Sequence, residues 1–137
     1  MGLYLAIFRD EEELDGVEVG SYADFSFLRA EVVRLLEGGK PGTRFPTLIL
    51  HSDCDGQWTP TDAVALEREL EVISREFRQL APVAISSEWQ QQVAKTFGVR
   101  ITSLYDCFFD VDGEPLLQRI KHLAELSENS KLPILFQ

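Results

Sequence analysis

The sequence lacks most of the signatures by which a chain announces its chemistry. It has no Cys-x-x-Cys pair, no glycine-rich phosphate loop and no Gly-x-Ser-x-Gly elbow. Its only histidines are His51 and His122, and its cysteines, Cys54 and Cys107, have no paired Cys or His at metal-ligand spacing. No apolar run approaches the ~20 residues that span a bilayer, and the opening Met-Gly-Leu-Tyr-Leu-Ala-Ile-Phe has no basic flank. A signal peptide and a membrane anchor are therefore not expected, and a cytoplasmic protein with free thiols is. Basic residues are scarce as well: 13 Lys and Arg stand against 23 Asp and Glu, a formal net charge of −10. Such a chain repels phosphate backbones and anionic lipid, so nucleic acid and membranes are poor partners and a basic protein is a better one. The bland alternative is that acidity serves solubility alone.

What is present suits one soluble domain over residues 1–137. Hydrophobic residues make up 45% and charged residues 26%, an ordinary globular balance. Gly2 to Phe8 predicts a first strand, followed by an acidic turn containing Asp10, Glu11, Glu12, Glu13 and Asp15. Asp15-Gly16 is a turn signal, and Val17-Glu18-Val19 predicts a short returning strand. Ser21 and Asp24 form a capping box for a helix carrying Phe25, Leu28, Val32 and Leu35, closed by Gly38-Gly39. Leu48-Ile49-Leu50 predicts a strand buried on both faces, ending in a polar turn from Asp53 to Gly56. Thr59, Pro60 and Asp62 start a second helix with a stripe from Ala63 to Leu80. Val83 to Ile85 suits a short strand, and Ser86 or Ser87 starts a third helix with Trp89, Val93 and Phe97, closed by Gly98. Ile101 to Phe109 suits a short helix or turn, with Ser103 and Asp106 resembling a capping box, though Tyr105, Phe108 and Phe109 would also suit a strand. Asp112 caps a fourth helix through Leu116, Ile120 and Leu123, and Pro133 to Phe136 is a last strand. The sum is an α+β domain: a mixed sheet of four or five strands packed with three to four helices.

Three constellations bear on catalysis. The turn after the predicted central strand aligns with a calcium loop, placing Asp53, Asp55 and Asp62 at ligand positions. His51, however, stands where a first carboxylate is needed. Phe109-Asp110-Val-Asp112-Gly113 resembles a phosphatase nucleophile motif of the haloacid-dehalogenase type, but the 20-odd residues that follow hold no acidic pair for magnesium. A helix cap at Asp112 with Pro115 in the first turn explains the same residues and is the preferred reading. His51 near Cys54 has no third group to orient it. No cofactor or metal is therefore expected. A small metal-dependent hydrolase using Asp53, Asp55 and His51 stands as the alternative to a binding protein, beside a structural or regulatory subunit. Binding is favoured, because a tryptophan among carboxylates suits a basic surface.

Leu14-Asp-Gly-Val-Glu-Val-Gly-Ser-Tyr22, Phe45-Pro-Thr-Leu-Ile-Leu-His-Ser-Asp53, Asp55-Gly-Gln-Trp-Thr-Pro60, Asp110-Val-Asp-Gly-Glu-Pro-Leu116 and Pro133-Ile-Leu-Phe-Gln137 carry a resemblance over the whole chain. In these segments it resembles the immunity proteins of bacterial polymorphic toxin systems, in the family catalogued as immunity protein seventy. The resemblance implies a small cytoplasmic protein that neutralises a cognate toxin by binding it, without catalysis. The contact candidates are then Asp10, Glu11, Glu12, Glu13, Asp15, Asp53, Asp55 and Trp58. The toxin's identity, the strand order and the oligomeric state stay open.

Overall fold

Three of the helices begin where the sequence places a cap. In the computed structural model, which describes residues 2–52, 56–85 and 87–137, the Ser21 hydroxyl accepts the Asp24 N–H at 3.1 Å. The Asp24 carboxylate accepts the Ser21 N–H at 2.8 Å, which starts α1 (Tyr22–Leu36). Thr59 and Asp62 repeat the exchange at 3.1 and 3.0 Å at the head of α3 (Pro60–Phe77). Ser87 is the N-cap of α4 (Glu88–Phe97), and Gly98 ends it in the left-handed region at φ 65°; Ser86 lies outside the described residues. The remaining elements are β1 (Gly2–Arg9), β2 (Glu12–Ser21), α2 (Pro46–Ile49), β3 (Gln57–Trp58), α5 (Leu116–Ser130) and β4 (Ile134–Phe136). A single 3-10 turn covers Leu104–Cys107, capped by Ser103 and Asp106.

The fold is α+β, with one four-stranded sheet in the order β2-β1-β4-β3. Among the described residues each strand pairing is antiparallel, so the sheet is not mixed, and five helices accompany it rather than three or four. Leu3, Leu5 and Ile7 of β1 enter one core with Val17 and Val19 of β2, Trp58 of β3, and Ile134 and Phe136 of β4. The helices lie on that face: Phe25 of α1 meets Phe136 edge-on at 6.4 Å, and α3 packs along α5. Each side chain fully buried there stabilises the fold by roughly 1.5–3 kcal/mol. No helix among the described residues is long and apolar enough to cross a membrane.

Four local expectations are corrected. The hairpin turns at Asp10-Glu11, with Asp10 at φ 58°, and not at Asp15-Gly16, which lies inside β2. Pairing of Ile7 with Asp15 and of Phe8 with Glu13 leaves Leu14 as an extra residue, a bulge that bends the edge strand. Residues 48–50 form no strand: Leu48 and Ile49 belong to α2. The buried Glu69 carboxylate of α3 accepts the N–H groups of Thr47 (3.2 Å) and Leu48 (3.0 Å), filling donors that a sheet partner would have taken. Arg29 of α1 closes the other end on the carbonyls of Ile49 and His51. Residues 83–85 pair with no strand. Finally, α5 starts at Leu116 with Pro115 in the cap position, so Asp112 is not its cap. Asp110 instead accepts the N–H groups of Asp112 (2.9 Å) and Glu114 (3.0 Å), tightening the turn before the helix.

Candidate interaction surface

The acidic residues of the first hairpin gather at one end of the sheet. Residues 9–18 hold six acids and one base, half the formal net charge of −10. Asp10, Glu11, Glu12 and Glu13 are exposed, as is Glu18. None of these five makes an ion pair among the described residues. Asp15 differs: its carboxylate lies 3.4 Å from Arg119 of α5, which also donates to the Gly16 carbonyl at 2.8 Å. Arg119 therefore anchors the outermost strand to the helix layer while leaving the hairpin tip unneutralised.

Tyr4 organises the neighbouring ground. Its hydroxyl donates to Glu13 at 2.8 Å, and its ring lies across Gly16, where a Cβ would stand 2.1 Å from the hydroxyl. Gly16 is thus required for clearance rather than for a turn. Burial, the hydrogen bond to Glu13 and the charges of Glu13, Asp15 and Glu18 push the phenol up to about 12. Sequence reasoning passed over Tyr4, though its place in the alternation Tyr4-Ala6-Phe8 was the available signal.

Trp58 leaves the candidate surface. It is 1% exposed, donates its indole N–H to the Thr47 carbonyl at 3.0 Å and meets Phe136 edge-on at 4.6 Å. The two-residue strand β3 turns Trp58 to the core and leaves Gln57 exposed, a consequence of period-two alternation. Trp89 is also engaged, donating to Asp24 at 2.9 Å with its ring over Gly20, which ties α4 to the start of α1. Asp53 and Asp55, with Cys54, lie outside the described residues.

The catalytic constellations dissolve into structural roles wherever they can be followed. Both His51 ring nitrogens sit 2.8 Å from backbone carbonyls, those of Ser52 and Gln57, and the ring stacks on Phe136 at 4.3 Å. Each nitrogen thus faces a backbone carbonyl, and the ring is held against the backbone and Phe136 rather than turned outward to a ligand. Asp62, the twelfth position of the calcium alignment, is spent in the α3 cap. Asp110 is 3% exposed, tied to its own turn and 3.6 Å from Arg119. Among the described residues no group of three or more His, Cys, Asp or Glu is arranged to hold a metal ion. Cys107 is free and buried; burial pushes its thiol up, away from the reactive thiolate.

A second acidic group lies where α3 meets α5. Glu67 shares a concavity with Glu125, Glu128 and Asn129. A hydrogen bond to Glu128, then burial and the charges of Glu128 and Glu125, push the Glu67 carboxyl up to about 7, with Lys121 opposing.

No curated protein and no solved structure matches this chain. A family model does, the one described as Immunity protein 70, over residues 3–136. That match takes in nearly the whole chain, from β1 to β4, and by it the protein belongs to the Immunity protein 70 family.

Proposed function

We propose that the protein binds a cognate toxin domain of basic character in the cytoplasm and neutralises it by occupying its surface, without catalysis. Family membership supports the immunity role. The observation that carries the basic character is the hairpin: exposed Asp10, Glu11, Glu12 and Glu13 without basic partners, beside Asp15. Unneutralised charge at one end of a sheet steers an oppositely charged partner and speeds encounter, with an effect that salt screens. Asp53 and Asp55 are further contact candidates on the sequence alone. The engaged nitrogens of His51 and the structural role of Asp110 weigh against the hydrolase reading.

The test uses the domain encoded beside the chain's own gene. Co-expression should rescue growth from that domain, and the purified pair should form a complex whose association rate falls steeply between low and physiological salt. Growth arrest unrelieved by co-expression, with no complex at low salt, would overturn the reading.

A further inference from the structure

The face of the sheet turned away from the helices is unlike the usual solvated face of an antiparallel sheet. With Leu3, Leu5 and Ile7 in the core, period two places Tyr4, Ala6 and Phe8 on the opposite face of β1. Register then sets Leu135 of β4 beside Ala6, and Glu18, Gly16 and Glu13 of β2 beside Tyr4, Ala6 and Phe8. Such faces ordinarily carry polar residues. Here the two middle strands place half-buried Tyr4, Phe8 and Leu135 on that face, outside the core cluster, with Ala6 fully buried between them. The edge strand supplies exposed Glu13 and Glu18. Among the described residues the ring contacts and ion pairs between sheet and helices lie on the core side, through Phe136 and Asp15, and the Tyr4 hydroxyl turns to Glu13 within the sheet.

We propose that this outer sheet face is where the basic partner docks, with Tyr4, Phe8 and Leu135 receiving apolar side-chain surface and Glu13 and Glu18 receiving Arg or Lys. The inference rests on the toxin-binding reading and adds the surface. An apolar strip bordered by charge is the composition of an interface core and rim, and an aromatic beside carboxylates suits a guanidinium, which stacks and ion-pairs at once. Charge decides among occupants. A second copy docked face to face would bring exposed Glu13 and Glu18 against a like-charged face, and nucleic acid or anionic lipid would meet the same repulsion. A basic protein surface alone is complementary.

The experiment measures the dissociation constant for the purified domain encoded beside the gene. It compares the parent, the double variant Glu13→Lys plus Glu18→Lys, and a control, Glu71→Lys plus Glu88→Lys, which makes the same charge change at exposed helix positions. The outer-face pair should weaken binding more than about tenfold and the control less than about threefold. Because Glu13 also holds Tyr4, Glu18→Lys alone and Gly16→Ala, which displaces the Tyr4 ring, serve as milder variants and should each weaken binding severalfold. Amide exchange on the parent gives an answer free of mutation: residues 4–8 and 13–18 should gain protection in the complex. Equal weakening by both charge pairs, or protection elsewhere, would overturn the docking face while leaving toxin binding intact. The same protection in the concentrated chain alone would assign the face to a second copy and overturn the proposal. No complex with the parent would remove both readings.

Discussion

Removing the Glu69 carboxylate should release α2 from the core. Glu69 is 9% exposed, and its oxygens accept the N–H groups of Thr47 at 3.2 Å and Leu48 at 3.0 Å. Hydrogen bonds to a charged group contribute about 1.5–3 kcal/mol each, and a buried donor left unpaired costs about as much. Leu48 is fully buried, so its N–H has no water to turn to, whereas Thr47 is partly exposed and recovers most of its loss. Against this, the substitution removes a desolvated charge, and alanine's helix propensity returns a few tenths of a kcal/mol within α3. The balance for Glu69→Ala is a loss of about 2–3 kcal/mol, or roughly 6–12 °C in Tm for a domain of this size. Glu69→Gln keeps one acceptor but turns an NH2 toward the other amide, so it should fall about halfway. Urea unfolding gives the stability change, and amide exchange locates it: Thr47 and Leu48 should lose protection before the interior of α3 does. An alanine variant within about 0.5 kcal/mol of the parent, with Leu48 equally protected, would refute the reasoning, since normal scatter for neutral substitutions is of that size.

The remaining predictions concern titrating groups. The Glu67 carboxyl, facing Glu128, Glu125 and Lys121 of α5, stands at about 7 in the fold against an ordinary 4.5. The folded state therefore holds a proton that the unfolded chain has released, and its stabilisation is complete below 4.5 and lost as pH rises through about 7. Glu67→Gln should flatten that decline in urea midpoints, and identical pH slopes for parent and variant would count against the carboxyl pair. The Tyr4 phenol should ionise at about 12, above its ordinary 10. Phenolate absorbance of the parent minus that of Tyr4→Phe isolates this group. Glu13→Gln should move it down, and a difference curve centred near 10 in the parent would show that Tyr4 does not lie against its carboxylates.

Much of the architecture follows from short-range chemistry. Ser21 with Asp24, Thr59 with Asp62 and Ser103 with Asp106 make caps within three residues, so no distant contact is needed to form them. The apolar runs at 2–8 and 133–136 become β1 and β4, and the acidic excess of the first hairpin is a property of composition. Signals fail where a distant group supplies what the local sequence left open. Leu48-Ile49-Leu50 suits a buried strand equally well, and only Glu69 and Arg29, some 20 residues away on either side, make a helical turn there the better-satisfied arrangement. Gly16 suggested a turn, but the Tyr4 ring needs its empty side-chain position, and the chain reverses at Asp10-Glu11 instead. Trp58 sits in a polar stretch and still enters the core, because pairing of Gln57 and Trp58 with β4 decides which of the two faces inward.

The sequence by itself determined the starts of α1, α3 and α4, the strands β1 and β4, the acidity and the family. Each rests on interactions within a few residues or on composition alone. Tertiary structure decided which side of the sheet the helices cover, and with that which residues of β1 remain outside. Two opposite faces are equally encoded by a two-residue period, and only the packing of Phe25 and Arg119 against one of them leaves Tyr4 and Phe8 on the other.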